Sequence, residues 1–202
     1  MASKVKVFLA VIVIVFTSIS CPGHSWLSGA PATSTPSVWR CYENGQKQMV
    51  KVPGFQEAWQ IVENCNEFPA AKTSISMVFF YAEWKKTFGD FDSTVERALD
   101  KIMVEYSNDK KTINAYDVTG QYIENANVVG LALTPSVVWI KVRDEKFICK
   151  TSLVHELVHI AIWARKKTDA DPDHLGPKYH GWTVEHSALI QRVNNQLCEL
   201  GI

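Results

Sequence analysis

Residues 151–163, Thr151-Ser152-Leu153-Val154-His155-Glu156-Leu157-Val158-His159-Ile160-Ala161-Ile162-Trp163, place two histidines four positions apart within an almost wholly apolar segment. On a helix that spacing brings both imidazoles to one face, one turn apart, with Glu156 beside them. The apolar residues run nearly all round the helix and mark it as buried. Two imidazoles and a carboxylate in such a setting carry a desolvation cost of several kcal/mol unless something pairs with them. A divalent metal answers that need, and the expected ion is Zn2+, held by His155 and His159 with Glu156 as general base. A packed core helix with hydrogen-bonded histidines is the competing expectation. The segment therefore implies metal-assisted hydrolysis, with peptide or protein substrates as the expected targets.

Outward from this segment, strand signals come before it and helix signals after it. Lys111 to Val118, and Val128 to Val142 interrupted at Gly130 and Pro135, read as strands around a turn-rich connector, Asp117 to Asn127. Pro135 to Val142 ends just upstream of the histidine helix, where it is either a sheet edge open to an extended peptide or an ordinary central strand. Thr151 or Ser152 caps the helix, which runs to about Lys166, and a loop follows from Thr168 to Gly181. A closing helix from Thr183 carries Ala188, Leu189, Ile190, Val193 and Leu197 on one side. Nearer the N-terminus, Pro53 opens an expected helix through Ala58, Trp59, Ile61 and Val62. Ser74 to Tyr81 reads as a strand, with a helix as the alternative. Ser93-Thr94-Val95-Glu96 has the form of a capping box for a helix continuing through Leu99, Ile102, Met103 and Tyr106. The expected class is α+β: one zincin-like domain with a small mixed or antiparallel sheet, a buried histidine helix and a C-terminal helix.

The chain has 202 residues, 47% of them hydrophobic, enough for one well-packed domain and short for two. Lys plus Arg equals Asp plus Glu at 21 each, and no long basic run stands out, so no nucleic-acid partner is expected. Lys4 and Lys6 precede the apolar run Val7 to Phe16, followed by Thr17, Ser18 and Ser20. Residues 1–23 accordingly read as a signal peptide or a short N-terminal anchor, and 24–37 as a flexible linker. Residues 38–202 are the expected folded domain, metallopeptidase-like if the histidine segment holds its metal. The location this implies is secreted, periplasmic or otherwise extracytoplasmic, with membrane contact only through an uncleaved N-terminal segment. Cys21 also raises a lipoprotein reading, although Ser18-Ile19-Ser20 is a poor lipobox. In an oxidising compartment Cys41, Cys65, Cys149 and Cys198 form an even set that allows three pairings, of which Cys41–Cys65 with Cys149–Cys198 is the one expected.

Catalytic zinc commonly takes three protein ligands and leaves a position for water. Downstream candidates for the third are Asp171, Asp173, His174, His180, Glu185 and His186. The short metzincin continuation is excluded, because it requires glycine and histidine where this chain has Ile162 and Arg165. Glu185 stands in the first turn of the following helix, the arrangement of gluzincin-type peptidases. Tyr179, His180 and His186 are candidates to steady an oxyanion.

His155 to Asn194 resembles the SprT-like metallopeptidases, in which the HExxH helix is followed by a loop with histidine, glycine, often proline and an aromatic residue, then a closing helix. Here these are His174-Leu175-Gly176-Pro177-Lys178-Tyr179 and a stretch ending Arg192-Val193-Asn194, with Leu175 an extra residue. The resemblance implies His174 as third zinc ligand and Glu156 as general base. It implies the site and not the substrate. Relatives include intracellular proteins acting on DNA–protein crosslinks, whereas this chain has an export-like leader and no net basic charge. Two expectations of other classes stand beside the enzyme: an exported, non-catalytic binding or structural module tied by a closed zinc site, and a carbohydrate-binding surface protein suggested by seven tryptophans, which do not cluster.

Overall fold

A mixed five-stranded sheet organises the domain. In the computed structural model, the described residues are 47–63, 70–107, 112–116, 122–142, 148–166 and 181–202. The chain divides between Ser37 and Val38, and all of these residues fall in the second unit. In chain order the strands are β1 (Lys47–Lys51), β2 (Trp59–Glu63), β3 (Met103–Ser107), β4 (Ile113–Tyr116), β5 (Tyr122–Ala126), β6 (Gly130–Thr134) and β7 (Val137–Lys141). The helices are α1 (Ala70–Phe88), α2 (Ser93–Asp100), α3 (Leu153–Lys166) and α4 (Val184–Glu199), with a 3-10 turn at Ile148–Lys150. The sheet order is β1-β2-β3-β7-β6, and β4 pairs with β5 apart from it. β2, β3 and β7 are mutually parallel, while β1 and β6 run antiparallel at the two ends. The protein is α+β, as its sequence implies.

Alternation in the strands separates two faces. Val62, Val104, Tyr106, Val138 and Ile140 share one core with Met77, Phe80 and Trp84 of α1, Val95 and Leu99 of α2, Leu157 and Ile160 of α3, and Leu189 and Val193 of α4. A buried polar chain fixes α1 on this face: Thr73 Oγ1 donates to Gln60 Oε1 at 2.6 Å and lies 3.0 Å from the Tyr106 hydroxyl.

Several local expectations yield to this architecture. Pro53 starts a turn and not a helix. Gly54 sits at φ 82°, outside the helical region, and Trp59 to Glu63 form a strand in which Gln60 and Val62 face inward. Ser74 to Tyr81 take the helical alternative inside α1, where Thr73, Ser76, Met77, Phe80 and Trp84 are buried at three- and four-residue intervals. Asp92, and not Ser93, caps α2: its carboxylate accepts from the amides of Thr94 at 2.9 Å and Val95 at 3.0 Å. That helix ends at Asp100. Met103 to Ser107 are instead a strand, because pairing with β2 on one side and β7 on the other satisfies their backbone. The connector 117–127 contains β5. Pro135 to Val142 supplies β7, which is central; the end strand is β6.

Cys149, in the 3-10 turn, and Cys198, near the end of α4, form a disulfide across 49 residues. Closing a loop of that length disfavours the unfolded chain by about 4 kcal/mol in the chain-entropy picture. Cys41 and Cys65, the leader 1–23 and the linker 24–37 lie outside the described residues. No helix among the described residues is long and apolar enough to cross a membrane.

A second tie joins α1 to α4. The buried Glu83 carboxylate accepts from Arg192 Nε at 2.9 Å, from Gln196 Nε2 at 3.1 Å and from Lys86. Burial alone pushes this carboxyl up, but the three donors outweigh it and hold the pKa at about 2. A depressed carboxylate contributes stability above its unfolded pKa of about 4.3 and loses it as pH falls toward the folded value. Urea midpoints measured from pH 7 to pH 2 are expected to show Glu83→Gln less stable by about 2 kcal/mol at pH 7, with the difference from wild type closing between about pH 4.5 and pH 2.

Candidate metal centre

The site is assembled on α3, and its local sequence accounts for its placement. Leu153, Val154, Leu157, Val158, Ile160 and Ile162 are buried, each of the larger side chains contributing about 2 kcal/mol and together holding the helix against the sheet. The N-terminus follows Thr151, whose hydroxyl accepts from the Leu153 amide at 3.4 Å and donates to Ile148 O at 2.8 Å. Ser152 reaches across to the sheet, where its hydroxyl donates to the Val129 carbonyl at 2.8 Å and ties the helix start to the beginning of β6.

His155 and His159 converge. Their Nε2 atoms stand 3.2 Å apart, and His159 is 9% exposed. Two nitrogens that both present lone pairs at this distance repel, so a proton or a cation belongs between them. With Zn–N bonds of about 2.05 Å, the 3.2 Å separation subtends about 103° at a shared ion, close to the tetrahedral angle. The donor pair therefore fits zinc in both chemistry and geometry.

Trp182 covers this pair. It is 6% exposed, and its ring centroid lies 4.9 Å from that of His155 and 4.9 Å from that of His159. Its indole N–H donates to Ser187 Oγ at 3.0 Å. The start of α4 is fixed in turn by Thr183, whose backbone N–H donates to His186 Nδ1 at 2.9 Å. His186 stacks on Phe88 with 4.3 Å between centroids, and burial, opposed by Glu185 and reinforced by Arg165, pushes its pKa down to about 4. It is a neutral helix cap, engaged through Nδ1.

Glu156 is 4% exposed on the side of α3 that meets β6. Burial raises its carboxyl to about 8, against the lowering effect of a hydrogen bond from the Ala132 backbone N–H. Gly130 makes this approach feasible. A Cβ at that position would collide with Ser152 Oγ and stand 2.5 Å from Glu156 Oε1.

Of the residues singled out in the sequence, the structure brings together His155 and His159, while Glu156, on the same helix, lies against β6 at Gly130. Asp171, Asp173, His174, Tyr179 and His180 lie outside the described residues. Glu185 is exposed in the first turn of α4, its carboxyl lowered chiefly by the Thr183 hydroxyl. Among the described residues, no third His, Cys, Asp or Glu joins the pair as a metal-holding group. Trp182, Ala132 and the packing role of Gly130 escape the sequence reading. The signals that could have found them were the glycine at the start of a strand and the Gly181-Trp182-Thr183 sequence at a helix start.

Comparison with family models, curated proteins and solved structures finds no match for this chain.

Gly130→Ala is expected to destabilise the fold by about 1–3 kcal/mol through overpacking, and adding Ser152→Ala, which removes the closest atom, is expected to restore part of the loss in urea denaturation. Equal stability of Gly130→Ala and wild type would contradict this packing.

Proposed function

We propose that the protein is an exported, zincin-type zinc metallopeptidase that hydrolyses peptide bonds in peptide or protein substrates. One observation carries the reading: two imidazole nitrogens 3.2 Å apart on the same helix as a buried carboxylate that separates them in sequence. Burying Glu156 and His159, with His155 half-buried beside them, in an otherwise apolar helix is costly without a metal to use them. His155 and His159 serve as zinc ligands, and His174, from the loop that follows, is the proposed third. The Cys149–Cys198 disulfide supports an oxidising, extracytoplasmic location.

Bound zinc supplies a water of lowered pKa and a Lewis acid for the scissile carbonyl. Glu156 takes the proton of the attacking water and later delivers it to the leaving amine. The apolar wall of α3 and the Trp182 indole exclude bulk water, which strengthens each electrostatic contact within. An extended substrate pairs with β6, the end strand beside Glu156, by backbone hydrogen bonds.

Glu156→Gln is expected to keep one zinc per chain by metal analysis and to lose peptide cleavage by about a thousandfold or more. Cleavage at the wild-type rate by that variant would remove the mechanism. Zinc bound without cleavage in either protein would leave only a structural metal.

A further inference from the structure

Helical spacing sorts the charges of α2 onto two flanks. Thr94, Arg97, Ala98 and Lys101 follow one another at i, i+3, i+4 and i+7, a single stripe along the helix and its C-cap. All four line a cavity of about 470 Å³ that Trp163 of α3 and Pro135 of the β6–β7 turn also line. The acidic residues of α2 act elsewhere: burial, with Asp100 and Glu96 adding to it, holds the Tyr81 phenol of α1 well above its ordinary value. None of His155, Glu156, His159 and Trp182 lines the cavity, so it is separate from the candidate metal centre. Its two cations are unequally matched. Lys101 Nζ stands 3.1 Å from Glu57 Oε2, whereas among the described residues no carboxylate pairs with the Arg97 guanidinium. Trp163 is half-buried and leaves indole surface to the cavity.

We propose that this cavity is a second ligand site, which binds a monocarboxylate carried on an apolar or aromatic body. Small ligands favour cavities of this size, with apolar and aromatic walls and a few polar groups to orient them. The planar guanidinium of Arg97 is weakly hydrated and matches a carboxylate with two parallel N–H donors, and the Thr94 hydroxyl is a further donor on the same stripe. The apolar body takes the place of water against Trp163, Ala98 and Pro135. A single unmatched positive charge selects a monoanion. A phosphate ester, with close to two negative charges at neutral pH, brings a second charge that Lys101, already beside Glu57, does not balance. A free organic acid and the C-terminus of a short peptide share the required chemistry. The site draws nothing from the histidine pair and stands whether or not zinc is bound there.

NMR titration of the full chain with hydrocinnamate tests the site. A saturable shift of the Trp163 indole N–H signal, assigned with Trp163→Phe, is expected. Arg97→Gln is expected to weaken binding about tenfold or more, the worth of a charge-assisted pair of hydrogen bonds. Hydrocinnamamide, which has the same shape and no charge, is expected to bind wild type as weakly, a comparison that needs no variant to fold. His155→Ala is expected to leave the affinity unchanged, and loss of binding in that variant would move the acid to the metal centre and overturn the proposal. A Trp163 signal that does not respond, equal affinity for acid and amide, or an affinity untouched by Arg97→Gln each overturns it as well. So does tighter binding of phenyl phosphate than of hydrocinnamate. N-acetyl-Ala-Ala-Phe with a free C-terminus, titrated into Glu156→Gln so that it stays uncut, separates the two sources. Binding at least as tight as that of hydrocinnamate supports the site as one for a peptide terminus, and weaker binding supports it as one for a free acid.

Discussion

Direct contact between the first turns of α3 and the bare backbone of β6 at Gly130 sets the position of every functional side chain on the helix. Ser152 Oγ and Glu156 Oε1 occupy the volume that a Cβ on residue 130 would fill. With the helix seated there, the Ser152 hydroxyl reaches Val129 O, the Glu156 carboxyl lies against the backbone of Gly130, and His155 and His159 turn toward Trp182. A shift of the helix by the width of one methyl group would separate the carboxylate from the strand edge. Close packing converts a local steric fact into the geometry of the candidate site.

The rest of the domain keeps that contact under load. A carboxylate at 4% exposure and a histidine pair are unfavourable tenants of an apolar helix, and the Leu, Val and Ile side chains around them offset the cost. Trp182, just before α4, covers the imidazoles, and α4 is fastened twice: by the Cys149–Cys198 disulfide to the turn that precedes α3, and by Arg192 and Gln196 to Glu83 of α1. His186 gives up its ring nitrogen to the start of α4 and so holds Trp182 in register.

The legible parts of the sequence were those whose signal is local. The histidine pair follows from helical spacing alone, and α3 and α4 have consistent periodicity with Thr151 and Thr183 at their starts. Pro135 marks the turn between β6 and β7. The misread parts depend on partners remote in sequence. Ile102, Met103 and Tyr106 continue the spacing of α2 closely enough to pass for helix, and only pairing with β2 and β7 makes Met103 to Ser107 a strand. β-Branched and aromatic residues in α1 suggest a strand until burial at Ser76, Met77, Phe80 and Trp84 fixes the period. The site behaves in the same way. His155, Glu156 and His159 announce themselves, whereas Ala132 and Trp182 are brought in by topology. His174 rests on resemblance to a loop outside the described residues.

X-ray absorption at the zinc edge, on the full chain loaded with one equivalent of Zn2+, reads the histidine pair without relying on activity. Imidazole nitrogens at about 2.0–2.1 Å are expected, with one histidine lost from the shell in each of His155→Ala and His159→Ala. A chain that takes up no zinc, or a zinc shell unaltered by both substitutions, would contradict the metal centre.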